Sequence, residues 1–180
     1  MGRLARSLPV MRPLRVTFCV ACIVLVVGSA CSDSGADPDP SASVSPSVSP
    51  TGEVTFDVAR ALIDTDEGSV LIEIEIADTN QKRQLGLMFR DSLEEDAGMA
   101  FIFFEETDGA FWMKNTKIPL SIAFFDAKGA IVRILDMEPC TEEPCELYSP
   151  GVSYHGALEV NQGAFDKWGV TVGDRITIAR

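Results

Sequence analysis

The stretch Ser69-Val-Leu-Ile-Glu-Ile-Glu-Ile-Ala77 alternates apolar and acidic side chains. A period of two belongs to a β-strand with one buried face, so Ile72, Ile74 and Ile76 point one way and Glu73 and Glu75 the other. Upstream lies a second apolar run, Arg60-Ala-Leu-Ile-Asp64, and the residues between them, Thr65-Asp-Glu-Gly68, are turn formers. Two such runs joined by a Gly-containing turn predict a β-hairpin.

Working outward, Asp78 to Phe89 changes period. Leu85, Met88 and Phe89 recur at helical spacing behind Asp78 as a candidate N-cap, which predicts a short amphipathic helix. Strand-like runs return at Gly98–Phe104, Ala110–Met113, Leu120–Phe125, Ile131–Met137, Tyr154–Val160 and Arg175–Ile178, with a one-turn helix at Ala164–Trp168. The continuous apolar run Phe101–Phe104 reads as an interior strand covered on both faces. Some eight short strands with one or two small helices predict a mainly β domain over residues 54–180, compact and sandwich- or barrel-like. Its length suffices for one buried core.

The amino-terminal end has a different character. Residues 1–30 carry Arg3, Arg6, Arg12 and Arg15 but no acid, then the apolar run Val16–Val27 and small residues up to Cys31. A basic segment, a short apolar run and small residues at its end are the marks of a secretory signal peptide. The apolar run is shorter than the ~20 residues that span a bilayer. Val-Gly-Ser-Ala-Cys31 resembles the lipobox of bacterial lipoproteins, in which the cysteine is acylated, although Gly28 stands where a larger aliphatic residue is usual. An ordinary cleaved signal is the alternative. Residues 31–53 are rich in Ser, Pro and Asp with almost no apolar surface, so they predict a disordered, extended tether. At ~3.1 Å per residue it reaches roughly 70 Å. The expected location is therefore the cell membrane, through lipid on Cys31, with the domain facing away from the cytoplasm.

Of five cysteines, Cys19 and Cys22 fall in the leader and Cys31 takes lipid, leaving Cys140 and Cys145. In an oxidising compartment these predict a disulfide closing a short loop. A redox-active pair is disfavoured, because Glu142, Glu143 and Glu146 oppose a thiolate. The chain carries 15 basic and 27 acidic residues, a net charge of −12. Removing the four leader arginines leaves 11 − 27 = −16. Such a field excludes nucleic acid as a partner.

The chemical motifs are few. A single histidine, His155, and no His-Glu-x-x-His argue against a zinc hydrolase, and neither a Gly-x-Ser-x-Gly elbow nor a phosphate loop occurs. No cofactor or metal is called for. Asp64-Thr-Asp66-Glu-Gly68 has the look of a calcium-loop opening without its downstream Glu, and a hairpin turn explains the same residues. Lys114-Asn115-Thr116 interrupts an apolar run just after Trp112. A chain corner accounts for Asn115, Thr116 and Pro119, whereas Lys114 beside Trp112 also suits a ligand site or cation–π stacking.

Arg83-Gln-Leu-Gly-Leu-Met-Phe-Arg90, Gly98-Met-Ala-Phe-Ile-Phe103 and Phe111-Trp-Met-Lys-Asn-Thr-Lys-Ile-Pro-Leu120 resemble, in that order, the signature of the family called domain of unknown function 192. Phe125-Asp-Ala-Lys-Gly129, Leu158-Glu-Val160 and Gly173-Asp174 continue the resemblance, which covers roughly residues 55–180. It implies a compact, mainly β fold and no particular activity. Its motif positions here are Arg83, Gly86, Met88, Arg90, Trp112, Lys114, Asn115, Thr116, Pro119 and Glu159. Ser121 departs from it, standing where the family usually has Asp.

Together these point to a lipid-tethered binding or accessory module. Arg90, Trp112, Lys114, Asn115, Thr116 and Glu159 are its candidate ligand site, for a small polar or anionic ligand or a protein loop. No catalytic set is assigned. An enzyme using Lys114 and Glu159 as acid and base, and a purely structural role, are the alternatives.

Overall fold

In the computed structural model, which describes residues 53–179, β1 (Asp57–Thr65) and β2 (Gly68–Ala77) form the expected antiparallel hairpin, in register from Asp57–Ile76 to Thr65–Gly68. The Thr65 hydroxyl accepts from the Glu67 N–H at 3.2 Å and donates to the Gly68 carbonyl, while Ser69 donates to the Asp64 carboxylate at 2.8 Å. The residues with a calcium-loop look are thus engaged in holding the turn. Among the described residues no group of three His, Cys, Asp or Glu side chains converges as a metal site, and no helix is long and apolar enough to cross a membrane. The signal peptide, Cys31 and the tether up to residue 52 lie outside the described residues.

The next element, α1 (Asn80–Leu85), is shorter than its sequence pattern implies. Thr79, not Asp78, is the N-cap, its hydroxyl accepting from the Lys82 N–H at 3.2 Å. Gly86 at φ 48° and Phe89 at φ 67° turn the chain left-handed, so the segment to Phe89 leaves the helix. It crosses to β3 (Ala97–Thr107), which pairs parallel with β2. β8 (Tyr154–Asn161) lies antiparallel between β3 and β5 (Leu120–Phe125), and β6 (Ile131–Met137) pairs with the far side of β5. β9 (Arg175–Ala179) pairs with β1, completing a seven-stranded sheet ordered β6-β5-β8-β3-β2-β1-β9.

The two ends of that sheet meet. Ala130 bridges Arg175, the Ile131 N–H donates to the Asp174 carbonyl at 2.8 Å, and the Ile176 N–H donates to the Gly129 carbonyl at 2.8 Å. The sheet is therefore a barrel closed at this seam, which satisfies edge groups that would otherwise stay open to other chains. Closure depends on Gly129, whose φ is 80° and where an added Cβ would lie 2.1 Å from the Ile176 carbonyl oxygen.

Side chains alternate between two cores. Ile63, Ile72, Ile74, Ile76, Leu158 and Val160 fill the barrel interior, joined by Phe165 of α2 (Ala164–Lys167) and by Val170. A second core forms on the outer face of β3, β5 and β8, where Met99, Phe101, Leu120, Ile122 and Phe124 are covered by Leu87, Met113 and Ile118. A small ribbon of β4 (Phe111–Trp112) and β7 (Leu147–Tyr148) flanks this cover. The strand buried throughout is β5, all six residues of it. Phe101–Phe104 does not match its expected interior role. Phe101 is buried, but Phe104 is 95 % exposed, because it falls in the irregular stretch between Ile102 and Thr107, where pairing with β8 is interrupted before it resumes at Thr107–Tyr154.

Gly129→Ala is expected to lower stability by more than the ~1–3 kcal/mol that a left-handed non-Gly residue costs, since it adds the backbone clash at the seam. Gly151→Ala, at φ 71° with open space around it, bears the conformational cost alone. Urea denaturation midpoints of the two variants measure the difference.

Candidate functional site

Where the outer cover meets the barrel, it leaves an opening of two parts. The outer part is a cleft of about 560 Å³ walled by Phe101, Phe103, Phe111, Trp112 and Tyr154, with Arg83 at its rim. The rings brace one another edge to face, Phe101 on Phe111 at 5.0 Å and Phe103 on Tyr154 at 5.6 Å between centroids. Such pairs add stability beyond area burial and keep the walls rigid. Tyr154 donates its hydroxyl proton to the Gly109 carbonyl at 2.8 Å. Burial, and secondarily the negative charge of Asp108, push its ionisation up to about 12, so it stays a neutral donor.

The inner part is a throat of about 40 Å³ between α1, the Gly86–Met88 turn, β4, Thr116 and β8. It ends at Glu159. In β8 that residue faces the outer core, paired laterally with Met99 of β3 and Ile122 of β5. Glu159 is only 5 % exposed, and its carboxyl, which makes no hydrogen bond or ion pair among the described residues, keeps its residual exposure, since no fully buried side-chain oxygen there is left without a partner. Burial, the one cause acting on it, pushes its pKa up to about 8, so the group is a neutral acid at pH 7. Six motif positions from separate stretches of chain line this throat: Arg83, Gly86, Met88, Trp112, Thr116 and Glu159.

Three of the candidate ligand residues therefore converge, namely Trp112, Thr116 and Glu159, and three do not. Lys114 forms an ion pair with Glu143 and sits 5.6 Å over the Trp112 ring. Glu143 belongs to the loop closed by the Cys140–Cys145 disulfide, whose Cα atoms are 5.6 Å apart, and Cys140 bridges Lys114 through the backbone. The loop thus holds Lys114 at the surface, and it does not line the throat with Glu159. Asn115 is the corner itself, at φ 58°, its carbonyl accepting from the Phe89 N–H at 2.8 Å. Arg90 pairs with Glu75 and lies 5.9 Å from the Phe56 ring, in a separate hollow.

The throat also uses residues absent from the sequence-based set. Arg83 donates from Nη1 to the carbonyls of Asp78 and Ile102, both at 2.8 Å, and from Nη2 to Asn80, while stacking 4.9 Å over Phe103. Its place in the family signature was the one available cue. Phe111, which lines the throat, and Tyr154, which lines the outer cleft, carry no mark in the sequence that sets them apart from other apolar strand residues. Ser121 lies on the opposite face of the sheet from Glu159. Its hydroxyl donates to Asp136 at 2.5 Å and accepts from the Gly163 N–H at 2.9 Å. An Asp at that position would therefore not enter the throat. His155 is half-buried in β8 and borders a hollow near Lys128, not the throat.

A raised carboxyl pKa makes folding favour the protonated form. That stability is complete below the unfolded value of 4.5 and is lost as pH rises to about 8. The slope is about −1.4 kcal/mol per pH unit across the window, several kcal/mol in total. Glu159→Gln, which keeps the shape without the ionisation, is expected to flatten it. Chemical denaturation of both proteins from pH 4.5 to 9 measures this, and parallel curves would contradict it.

A family model described as uncharacterized ACR, DUF192, matches residues 62–178. A crystal structure of a candidate transcription regulator from Sinorhizobium meliloti 1021 is similar at a TM-score of 0.66 and 32 % identity, covering 71 % of this chain and 98 % of that one. A protein of unknown function from Novosphingobium aromaticivorans is similar at a TM-score of 0.63 and 26 % identity, covering 75 % and 94 %. No curated protein matches the chain in sequence. With its signature segments gathered around one throat and the family model spanning nearly the whole barrel, the chain belongs to the DUF192 family.

Proposed function

We propose that this protein is a lipid-anchored binding module, held at the cell membrane outside the cytoplasm, that captures a small amphipathic ligand. The ligand lays an apolar body against the aromatic cleft and inserts a hydrogen-bonding head into the throat. The convergence of the motif positions on an unpartnered buried carboxyl carries this reading. A carboxyl that is 5 % exposed and makes no protein hydrogen bond costs stability, and proteins concentrate such costs at functional sites. The cleft volume of about 560 Å³ falls in the range of small-molecule sites. Binding is favoured over catalysis because Lys114, the other half of the candidate acid–base pair, is engaged with Glu143. The anchor rests on the leader, on Cys31 and on the tether composition. Two or more acyl chains at ~0.8 kcal/mol per buried CH₂ hold a protein stably on a bilayer.

Cys31→Ala is expected to move the protein from the membrane fraction, where detergent is needed to release it, into the soluble fraction. Retention of the variant on membranes would remove the anchor. For the site, a fragment collection of aromatic and aliphatic alcohols, amides and amines can be screened by amide chemical shifts of the full-length chain. Hits are expected to perturb Gly86, Phe111 and Thr116, and Trp112→Ala to weaken them about tenfold or more, or ~1.4 kcal/mol. Hits mapping consistently elsewhere would sink the assignment.

A further inference from the structure

The inner throat narrows the ligand class, an inference that rests on the binding-module reading above. Three observations bear on it. The throat's volume of about 40 Å³ admits a head group of one or a few heavy atoms and no more. A trimethylated nitrogen, a phosphate or a sugar ring is too large.

Its hydrogen-bonding character is the second. Glu159 brings two carboxyl oxygens that make no hydrogen bond among the described residues, and Thr116 lines the same throat. Three of the backbone donors lining it are already taken. Gly86 N–H donates to the Lys82 carbonyl, Met88 N–H to Leu85 and Thr116 N–H to Met113. As a carboxylate, Glu159 adds acceptors and no donor to the throat. A hydroxyl brings one donor to such a place, whereas an ammonium brings three.

Charge is the third. Besides Glu159, the one charged side chain lining the throat is Arg83. Its Nη1 is held by the Asp78 and Ile102 carbonyls and its Nη2 by Asn80, and its plane lies over Phe103. It does not lower the Glu159 pKa, on which burial alone acts, so the carboxyl's charge is left for a ligand to neutralise. The chain as a whole, at −12, attracts cations.

We propose that the throat ending at Glu159 is an ammonium socket. The ligand is a primary amine whose apolar body lies in the aromatic cleft and whose –NH₃⁺ enters against the Glu159 carboxylate. Binding then displaces the proton that Glu159 carries at neutral pH: the carboxylic acid O–H breaks, the proton leaves to solvent, and the carboxylate accepts from the ammonium. No covalent bond to the ligand forms.

The test uses the full-length chain in lipid nanodiscs and three probes sharing one body, 2-phenylethylamine, 2-phenylethanol and 3-phenylpropanoate. At pH 8.5 the amine is expected to bind at least tenfold more tightly than the alcohol and the carboxylate. Below pH 8 its affinity is expected to fall close to tenfold per pH unit. Calorimetry at pH 7 in two buffers of different ionisation heat should read the release of nearly one proton, a measurement on the unmutated protein. Glu159→Gln should erase both the preference for the amine and the pH dependence while leaving the alcohol bound. Equal binding of amine and alcohol without proton release would overturn the socket and leave the aromatic cleft standing. Failure of all three probes to bind would overturn the cleft as well.

Discussion

Everything in this molecule follows from closing a seven-stranded sheet on itself. The seam is small, a few backbone hydrogen bonds between Gly129–Ile131 and Gly173–Ile176, yet it decides which face of every strand is inside. An open sheet of this width would leave two edges ready to pair with other chains. Closure pairs part of those edges at the seam and creates a different liability. The interior is filled by Ile, Val, Ala and Leu, but the outer face of β3, β5 and β8 is also apolar and needs cover. Cover comes from Leu87 in the turn after α1, from Met113 and Ile118, and from the β4–β7 ribbon. These are short, irregular pieces, and short irregular pieces do not tile a curved surface. The cleft and its throat are the gap they leave.

Glu159 sits under that gap. A carboxyl without a donor in a low-dielectric site is unfavourable in its charged form, and the protein accommodates it by keeping the proton. Gln or Leu in its place would be easier to bury. The same environment that raises the pKa makes the group responsive, since any positive or donor-rich head that reaches it meets an acceptor that no protein donor occupies. The disulfide loop contributes at a distance. It ties Cys140 to the backbone of Lys114 and presents Glu143 to the lysine's ammonium, which keeps that cation outside the throat.

Much of this was legible in the chain. Ile72, Ile74 and Ile76 announce a half-buried strand, and Thr65–Gly68 its turn, because strand period and turn chemistry are local properties. The corner at Asn115 and the closed Cys140–Cys145 loop were legible for the same reason. Half of the candidate site was also visible, in Trp112, Thr116 and Glu159. Lys114 and Arg90 were misplaced because each takes a partner that nothing nearby in sequence identifies, Glu143 in one case and Glu75 in the other. Phe104 looked like core because an apolar run carries no sign of where its partner strand slips away.

What the amino-acid order determined by itself, then, was an inventory: strands by alternation, turns by Gly, Asp and Asn, and a family by its signature. Only the tertiary structure decided that the sheet closes, that β8 lies between β3 and β5, and that the face of β8 bearing Glu159 is the one covered. Alternation in Ala157-Leu-Glu-Val160 says that Glu159 opposes Leu158 and Val160 across the strand. Whether that side meets water or protein depends on Leu87, Met113 and Ile118, residues brought there from 41 or more positions away. Burial is a property of the assembled surface, and no local pattern encodes it.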